Sequence, residues 1–298
     1  MSDPHWNLDD LRQQIDKIDD KLHDLLMRRA ELIASVSVAK KGERIPALRP
    51  GREASILRRL MARHDGPFPR PLVARIWREL LSGTIGMQVD FSVAVYAPAV
   101  APGFWDLARD HYGSFTPMTA HSTASQVLRA VTEGGASVGV LSWPQDGDRE
   151  AWWPQLVGSD PATPKVIARL PFAGPGNARM NGVDALAIGR GELEETGSDR
   201  SLLVLEVSAE MSRGRLLTAL KTGGFEPAFI AAMEQRPGTG INLVEVEGVV
   251  APGDARLQAA LAPLEAAVDR VSSIGGYASP LTAAELAGRR KGQAKKRG

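Results

Sequence analysis

Arg29 interrupts the most regular apolar repeat in this sequence. Leu11, Ile15, Ile18, Leu22, Leu25, Leu32, Val36 and Ala39 recur by fours and threes, and the seam position skipped between Leu25 and Leu32 is this arginine. Lys40 follows eleven residues later; at 100° per residue that is about 20° from three full turns, so both cations project from one helix face. Further on, Trp77, Leu81, Thr84 and Gln88 are spaced by four, three and four, which ends an inward stripe in two hydrogen-bonding groups. Arg52 and Glu53 stand one turn before Ile56 and Leu57, again on an inward side. Polar groups aimed at an interior are costly unless something polar meets them. Residues 40–78 hold eleven Lys or Arg against three Asp or Glu, a local excess that attracts an anionic small molecule. Taken singly, each feature has a plainer reading. An arginine in a seam can simply fix register, an Arg-Glu neighbour pair is ordinary surface, and a glutamine at a helix end is ordinarily solvated. Their convergence is what points to a site.

The elements that must carry these residues are helical. Residues 8–41 read as one long helix, with Asn7 as N-cap, Asp9 and Asp10 in its first turn, and Lys40 and Lys41 before the Gly42 stop. Such a helix is longer than a small domain is wide and needs a partner chain to cover its seam. Pro50 opens a second helix to about Arg63, Asp65-Gly66-Pro67 breaks it, and a third runs from about Arg70 to Met87. Arg12 and Arg29 are 17 residues apart, about 100° out of phase, so one straight helix does not easily bring both to one pocket, whereas an antiparallel partner helix could supply one of them.

Beyond residue 90 the texture changes. A strand at Phe91–Ala97, helices near Gly103–Tyr112 and Thr123–Thr132, and a strand at Ser137–Leu141 suggest a small parallel α/β unit. Residues 144–180 are rich in Pro and Gly and give no clear pattern. From Ser201 the order is strand (Leu202–Val207), helix (Arg213–Thr222), strands (Ala228–Glu234 and Asn242–Val249), helix (Asp254–Ala267) and strand (Asp269–Gly275), a βαββαβ ferredoxin-like pattern. The basic tail after Leu286 reads as disordered and solubilising.

Composition narrows the chemistry. The 298 residues include 36 Lys+Arg and 35 Asp+Glu, which argues against a general nucleic-acid or membrane-surface binder. With no cysteine there is no thiolate nucleophile, disulfide scaffold or cysteine-based metal site. The five histidines show no metal-ligand spacing. No apolar run reaches the ~18 residues of a membrane span, and the charged N-terminus lacks a signal-peptide core. The expectation is a soluble, cytoplasmic protein.

The stretches LDDLRQQIDKIDDKLHDLLMRRAELIASVSVAKK, PALRPGREASILRRL and VARIWRELLSGTIGMQ resemble the all-helical class of chorismate mutases, an intertwined dimer of three-helix protomers. The resemblance implies rearrangement of chorismate to prephenate with no cofactor and no metal. By the same resemblance Arg12 reaches the partner's site and grips a substrate carboxylate, and Arg29 holds the other. Lys40 and Gln88 flank the ether oxygen, and Arg52, Glu53 and Thr84 complete the substrate contacts. One position departs: an Asp of the family falls on Arg49, leaving Glu53 alone for the ring hydroxyl. Orientation of a flexible dianion and stabilisation of charge on the breaking ether oxygen would carry such a reaction.

The remainder resembles the bifunctional proteins that join this mutase to prephenate dehydratase and an ACT regulatory domain. FSVAVYAPAVAPGFWDLARDHYG and STASQVLRAVTEGGASVGVLS look like the opening of the dehydratase, but its Thr-Arg-Phe signature falls on Val183-Asp184-Ala185 and its Glu-Asn-Ser on Trp143-Pro144-Gln145. About 110 residues separate the mutase and ACT segments, short for a two-lobed domain. In the ACT-like part Glu234-Gln235-Arg236-Pro237 stands for Glu-Ser-Arg-Pro, while Arg213-Gly214-Arg215-Leu216 replaces a Gly-Ala-Leu-Val turn where an aromatic amino acid effector would act. The expected organisation is a helical mutase domain (1–89), a truncated dehydratase-like α/β module (90–198), an ACT-like domain (199–285) and a basic tail (286–298). The expected function is a mutase that has lost dehydration. Two alternatives stay open: an enzyme with both activities, and a non-catalytic amino-acid sensor.

Overall fold

The structure, a computed structural model, describes residues 7–39, 46–148, 150–158, 160, 162–176, 178–180, 182–191, 193–251 and 253–288, excepting the side chains of 37–39 and 235. Lys40, Lys41 and the basic residues from 289 onward lie outside the described residues.

Three helices open the chain: α1 (Leu8–Ala39), α2 (Pro50–Arg63) and α3 (Arg70–Gly86). Asn7 starts α1 by accepting the Asp9 N–H at 3.2 Å. The 32 residues of α1 extend roughly 48 Å, and Ile15, Ile18, Leu22 and Leu25 along its seam are each more than half exposed. Prolines sit in the first turns of α2 and α3, where a missing N–H costs nothing. Gly51, Glu53, Ala54, Leu57 and Met61 form the inward face of α2, and Ala74, Arg78, Leu81, Ser82 and Ile85 that of α3. Both faces obey helical spacing, yet each contains a charged residue.

The rest of the chain builds one nine-stranded sheet. Its elements are β1 (Val93–Tyr96), α4 (Gly103–Tyr112), β2 (Met118–His121), α5 (Ala124–Thr132), β3 (Val138–Ser142), β4 (Lys165–Leu170), β5 (Ala185–Gly189), β6 (Asp199–Ser208), α6 (Arg213–Thr222), β7 (Pro227–Arg236), β8 (Thr239–Glu247), α7 (Ala255–Leu261), β9 (Val268–Ala278) and α8 (Ala283–Ala287). The strand order is β2-β1-β3-β5-β4-β9-β6-β8-β7. β2, β1 and β3 are parallel, as expected of this unit, whereas β5 enters antiparallel between β3 and β4, so the sheet as a whole is mixed. The last four strands are antiparallel to one another, with the βαββαβ connectivity read from the sequence, while β9 is parallel to β4 at the junction.

The two halves of the sheet meet where Val166 of β4 pairs with Gly275 of β9. Gly275 has φ +107°, and a Cβ there would stand 2.3 Å from the Val166 carbonyl oxygen, so the seam requires glycine. One apolar cluster spans both halves, from Val127 and Leu128 through Trp152 and Trp153 to Leu202, Ile241, Ile274 and Tyr277. A second brings Ala54, Leu57 and Met61 of α2 together with Ala74, Phe172, Ala278 and Leu281. The helical segment therefore packs on the loop after β4 and the end of β9.

Two boundaries differ from expectation for local reasons. The helix expected to reach Ala267 leaves α-geometry at Leu261 and tightens into a 3₁₀ turn around Pro263, whose nitrogen cannot donate to the helical ladder. The chain past Leu281 is helical through Ala287, because Thr282 and Glu285 form a reciprocal capping box and Leu286 packs beside α2 and α3. The first residues assigned to the tail thus belong to the fold. β2, β4 and β5 were not expected at all. β2 is only four residues long and mostly exposed, and β5 follows a Pro/Gly-rich stretch that hides its start.

Glu53 of α2 and Arg78 of α3 are 9% and 5% exposed and form an ion pair at 2.8 Å. Arg78 also stacks over Phe172, 5.0 Å from the ring centroid. Burial pushes the Glu53 carboxyl up and the Arg78 guanidinium down, each opposed by the other's charge. Removing one partner strands a buried charge or dipole, so Glu53→Gln and Arg78→Met should each lower stability by about 3–5 kcal/mol. The double variant should lose clearly less than the sum. Urea unfolding of the full chain measures this; additive losses under about 1 kcal/mol each would remove the pair as a structural element.

Candidate functional site

The C-terminal half of α1, the start of α2 and the end of α3 enclose a cavity of about 500 Å³. Arg29, Arg52, Glu53, Thr84 and Gln88 line it, as the sequence spacing predicted, with Leu32, Val36, Ile56, Trp77 and Leu81 as apolar walls. Arg49 and Arg59 line it as well. Arg12 is not brought to this cavity. It lies near the start of α1, two-thirds exposed, paired with Asp9 at 3.3 Å. Lys40 falls outside the described residues.

The charges in the cavity do not balance. Glu53 is its one carboxylate among the described residues, and Arg78 already compensates it. Arg49 is taken by Glu194, whose Oε1 accepts its Nε–H at 2.6 Å. The same carboxylate accepts the backbone N–H of Arg52 at 3.1 Å and so satisfies the positive end of α2. Arg29, Arg52 and Arg59 have no acidic partner among the described residues. Partial burial holds the Arg29 guanidinium below its usual range, which still leaves it charged near neutrality. An anion with two separated charges would find guanidinium groups from both α1 and α2 in this cavity.

The hydrogen-bonding groups are also constrained. Thr84 Oγ1 donates toward the carbonyls of Leu80 and Leu81, at 2.9 and 2.8 Å, so its hydroxyl presents lone pairs rather than a proton to the cavity. Gln88 uses one amide N–H on the Thr84 carbonyl at 2.9 Å, which fixes the side chain and leaves a second N–H and the oxygen. No Ser, Cys or His lines the cavity among the described residues. The arrangement is suited to holding and polarising an anion, and contains no nucleophile with an adjacent base.

Sequence reasoning missed three parts. Arg78 had the right signal, an arginine on the buried stripe of α3, but its partner lies on another helix. Arg59 was counted in the basic excess without a role. Glu194 carries no local signal, because its contacts with Arg49 and Arg52 span more than 140 residues. The dehydratase-like positions are corrected in one respect. Asp184 does not present a bare negative charge: its Oδ2 accepts an Arg169 N–H at 3.0 Å, and Arg169 stacks 4.2 Å from the ring centroid of Trp143.

Comparison with known proteins agrees with the helical site. Residues 11–89 match the family model described as chorismate mutase type II. A bifunctional chorismate mutase/prephenate dehydratase of Pseudomonas aeruginosa is 31% identical over 136 residues, 44% of this chain and 37% of the relative. One of Aquifex aeolicus is 28% identical over 138 residues, 45% of this chain and 38% of the relative. The chain thus spans under two-fifths of the length of these curated relatives. Among solved structures, the prephenate dehydratase of Streptococcus mutans has a TM-score of 0.43 at 11% identity, covering 64% of this chain and 98% of that one. The prephenate dehydratase of Arthrobacter aurescens in complex with L-Phe has a TM-score of 0.42 at 14% identity, over 65% and 93%. By the family match, the N-terminal helices of this chain, residues 11–89, are a chorismate mutase type II segment.

Proposed function

We propose that the chain rearranges chorismate to prephenate in a homodimer and does not dehydrate the product. The observation that carries the mutase reading is the cavity in which Arg29, Arg52, Glu53, Thr84 and Gln88, from three helices, stand together with an uncompensated positive charge. The rearrangement is unimolecular and concerted, so the absence of a nucleophile in the cavity wall is no obstacle. Guanidinium groups hold the two carboxylates and select the compact reactive conformer. Gln88, through its free amide N–H, and Lys40 stabilise negative charge on the departing ether oxygen. Glu53, oriented by Arg78, accepts the ring hydroxyl.

Dimerisation is supported by α1. Its apolar seam is exposed from Leu11 to Val36, an arrangement water penalises unless a second helix covers it. An antiparallel second copy brings Arg12 of the partner subunit toward the cavity, from a position about 25 Å along the helix from Arg29. The sheet halves fit a dehydratase-like module followed by a ferredoxin-like, ACT-like unit, whose strand order β9-β6-β8-β7 supports that reading. Its turn before α6 is not open: Arg213 makes two bonds to Asp146, at 2.8 and 3.1 Å, and stacks over Phe229. An amino-acid effector there would have to displace this contact. Loss of dehydration rests on Val183, which can neither donate a proton nor hydrogen-bond a departing hydroxyl.

Three measurements test the reading. Lys40→Ala and Arg29→Ala should each lower chorismate turnover on the order of 10²–10³-fold with helix content unchanged. Mixing Arg12→Ala with Arg29→Ala chains should restore part of it through hybrid dimers, and no recovery after verified subunit exchange would place both arginines in one chain. Followed at neutral pH, the wild-type chain should accumulate prephenate without phenylpyruvate. Phenylpyruvate formed in proportion to enzyme would instead favour the two-activity reading suggested by the names of its relatives.

A further inference from the structure

A second cavity, of about 450 Å³, lies on the other side of α3, between that helix, α4 and the loop 171–176. Its apolar walls include Leu72, Leu107 and Phe172. Its polar groups are unusual for so enclosed a place. Arg78 and His111 are 5% and 6% exposed and both line it, with the Arg75–Asp110 ion pair at the rim. His111 touches the ring of Tyr112 edge-on, centroids 4.7 Å apart, and makes no hydrogen bond to the described residues. Arg78 spends Nη1 on Glu53, while Nε and Nη2 have no hydrogen-bond partner among the described residues. These nitrogens are not sealed from water, so an acceptor that enters the cavity would take the place of solvent on them. Burial, then the nearby Arg78 charge, holds His111 well below its usual range, so near neutrality the ring offers one N–H without adding charge.

Arg78 also joins the two cavities. It lines the second one while its ion-pair partner, Glu53, lines the first. We propose that the second cavity binds a small organic carboxylate with an apolar body, and that the Glu53–Arg78 pair couples this site to the chorismate pocket. The coupling rests on the mutase reading above; the binding does not. A carboxylate accepting N–H bonds from Arg78 draws the guanidinium charge away from Glu53. Glu53 then faces the first cavity less compensated and repels a dianion, so the second ligand raises KM for chorismate and leaves kcat little changed. By reciprocity, chorismate weakens the second ligand by the same factor.

The test uses the full chain, with 3-phenylpropanoate as probe and 3-phenylpropan-1-ol as its neutral counterpart, titrated by calorimetry. Leu72→Trp is the site variant: Leu72 is 45% exposed at the cavity mouth, so the larger ring fills the opening without entering the core. The probe should bind the wild type with a dissociation constant at or below about 1 mM. It should bind Leu72→Trp at least about tenfold more weakly, and the alcohol should be weaker than the carboxylate by a similar factor. Leu72→Trp should keep wild-type chorismate turnover. With the wild type, saturating probe should raise KM on the order of 5- to 20-fold, and Leu72→Trp should abolish that rise. Absent binding, binding retained in Leu72→Trp, or equal binding of the alcohol overturns the site. So does binding lost in Arg29→Ala but kept in Leu72→Trp, which would place the probe in the first cavity. Binding with unchanged KM overturns the coupling. A chain without chorismate turnover sinks the mutase reading, while the calorimetric arms still decide the site.

Discussion

The ion pair between Glu53 and Arg78 is the interaction on which the arrangement of the helical segment depends. A carboxylate and a guanidinium nearly removed from water each carry a desolvation cost that only a close partner offsets. Glu53 can therefore stay buried on α2 only if α3 presents Arg78 at one register. Arg78 in turn is held by Phe172, which belongs to the loop after β4. The relative placement of α2, α3 and the sheet is thus set by one charged contact and the ring beneath it. An apolar pair of equal volume would pack as well, but it would not orient a carboxylate at the cavity wall.

A second set of contacts ties α2 to the sheet from its outer side. Arg58 donates to Thr196 Oγ1 at 2.6 Å and to the carbonyls of Ser198 and Ser279 at 2.9 and 2.8 Å. Glu194 sits at the first turn of α2, where a carboxylate satisfies free N–H groups. It approaches so closely that a Cβ on Gly51 would stand 2.7 Å from its own Cβ. Arg49 is drawn to this same Glu194. Its charge is accordingly balanced by a distant part of the chain, and the cavity keeps its positive balance through Arg29, Arg52 and Arg59.

Helices and cavity were legible in the sequence to the extent that they rest on local periodicity. The fours and threes of α1 and the Trp77-to-Gln88 stripe express a 3.6-residue repeat, and the prolines opening α2 and α3 mark helix starts. They placed five cavity residues before any contact was known. Pairings across long sequence distances were not legible. Glu194 and Arg49 are 145 residues apart, and Arg169 and Asp184 sit on different sides of a Pro/Gly-rich loop. β5 was missed for a related reason: a five-residue strand buried throughout has no alternation to read. Arg12 marks the remaining limit: within this chain it stands exposed and paired with Asp9, away from the cavity.

These contacts make the segments one cooperative object rather than a mutase with appendages. The cluster around Trp152 and Trp153 draws side chains from both halves of the sheet, and the Val166–Gly275 pair joins their strands. The cluster around Leu57 and Phe172 then attaches α2 and α3 to the end of β9. A sheet region without catalytic work of its own would still be retained under this arrangement. Without Phe172, Arg78 loses the ring it lies on, and without Glu194 the first turn of α2 loses its acceptor. Both losses fall on residues that line or orient the first cavity. The shape of that cavity is therefore maintained by residues far away in sequence.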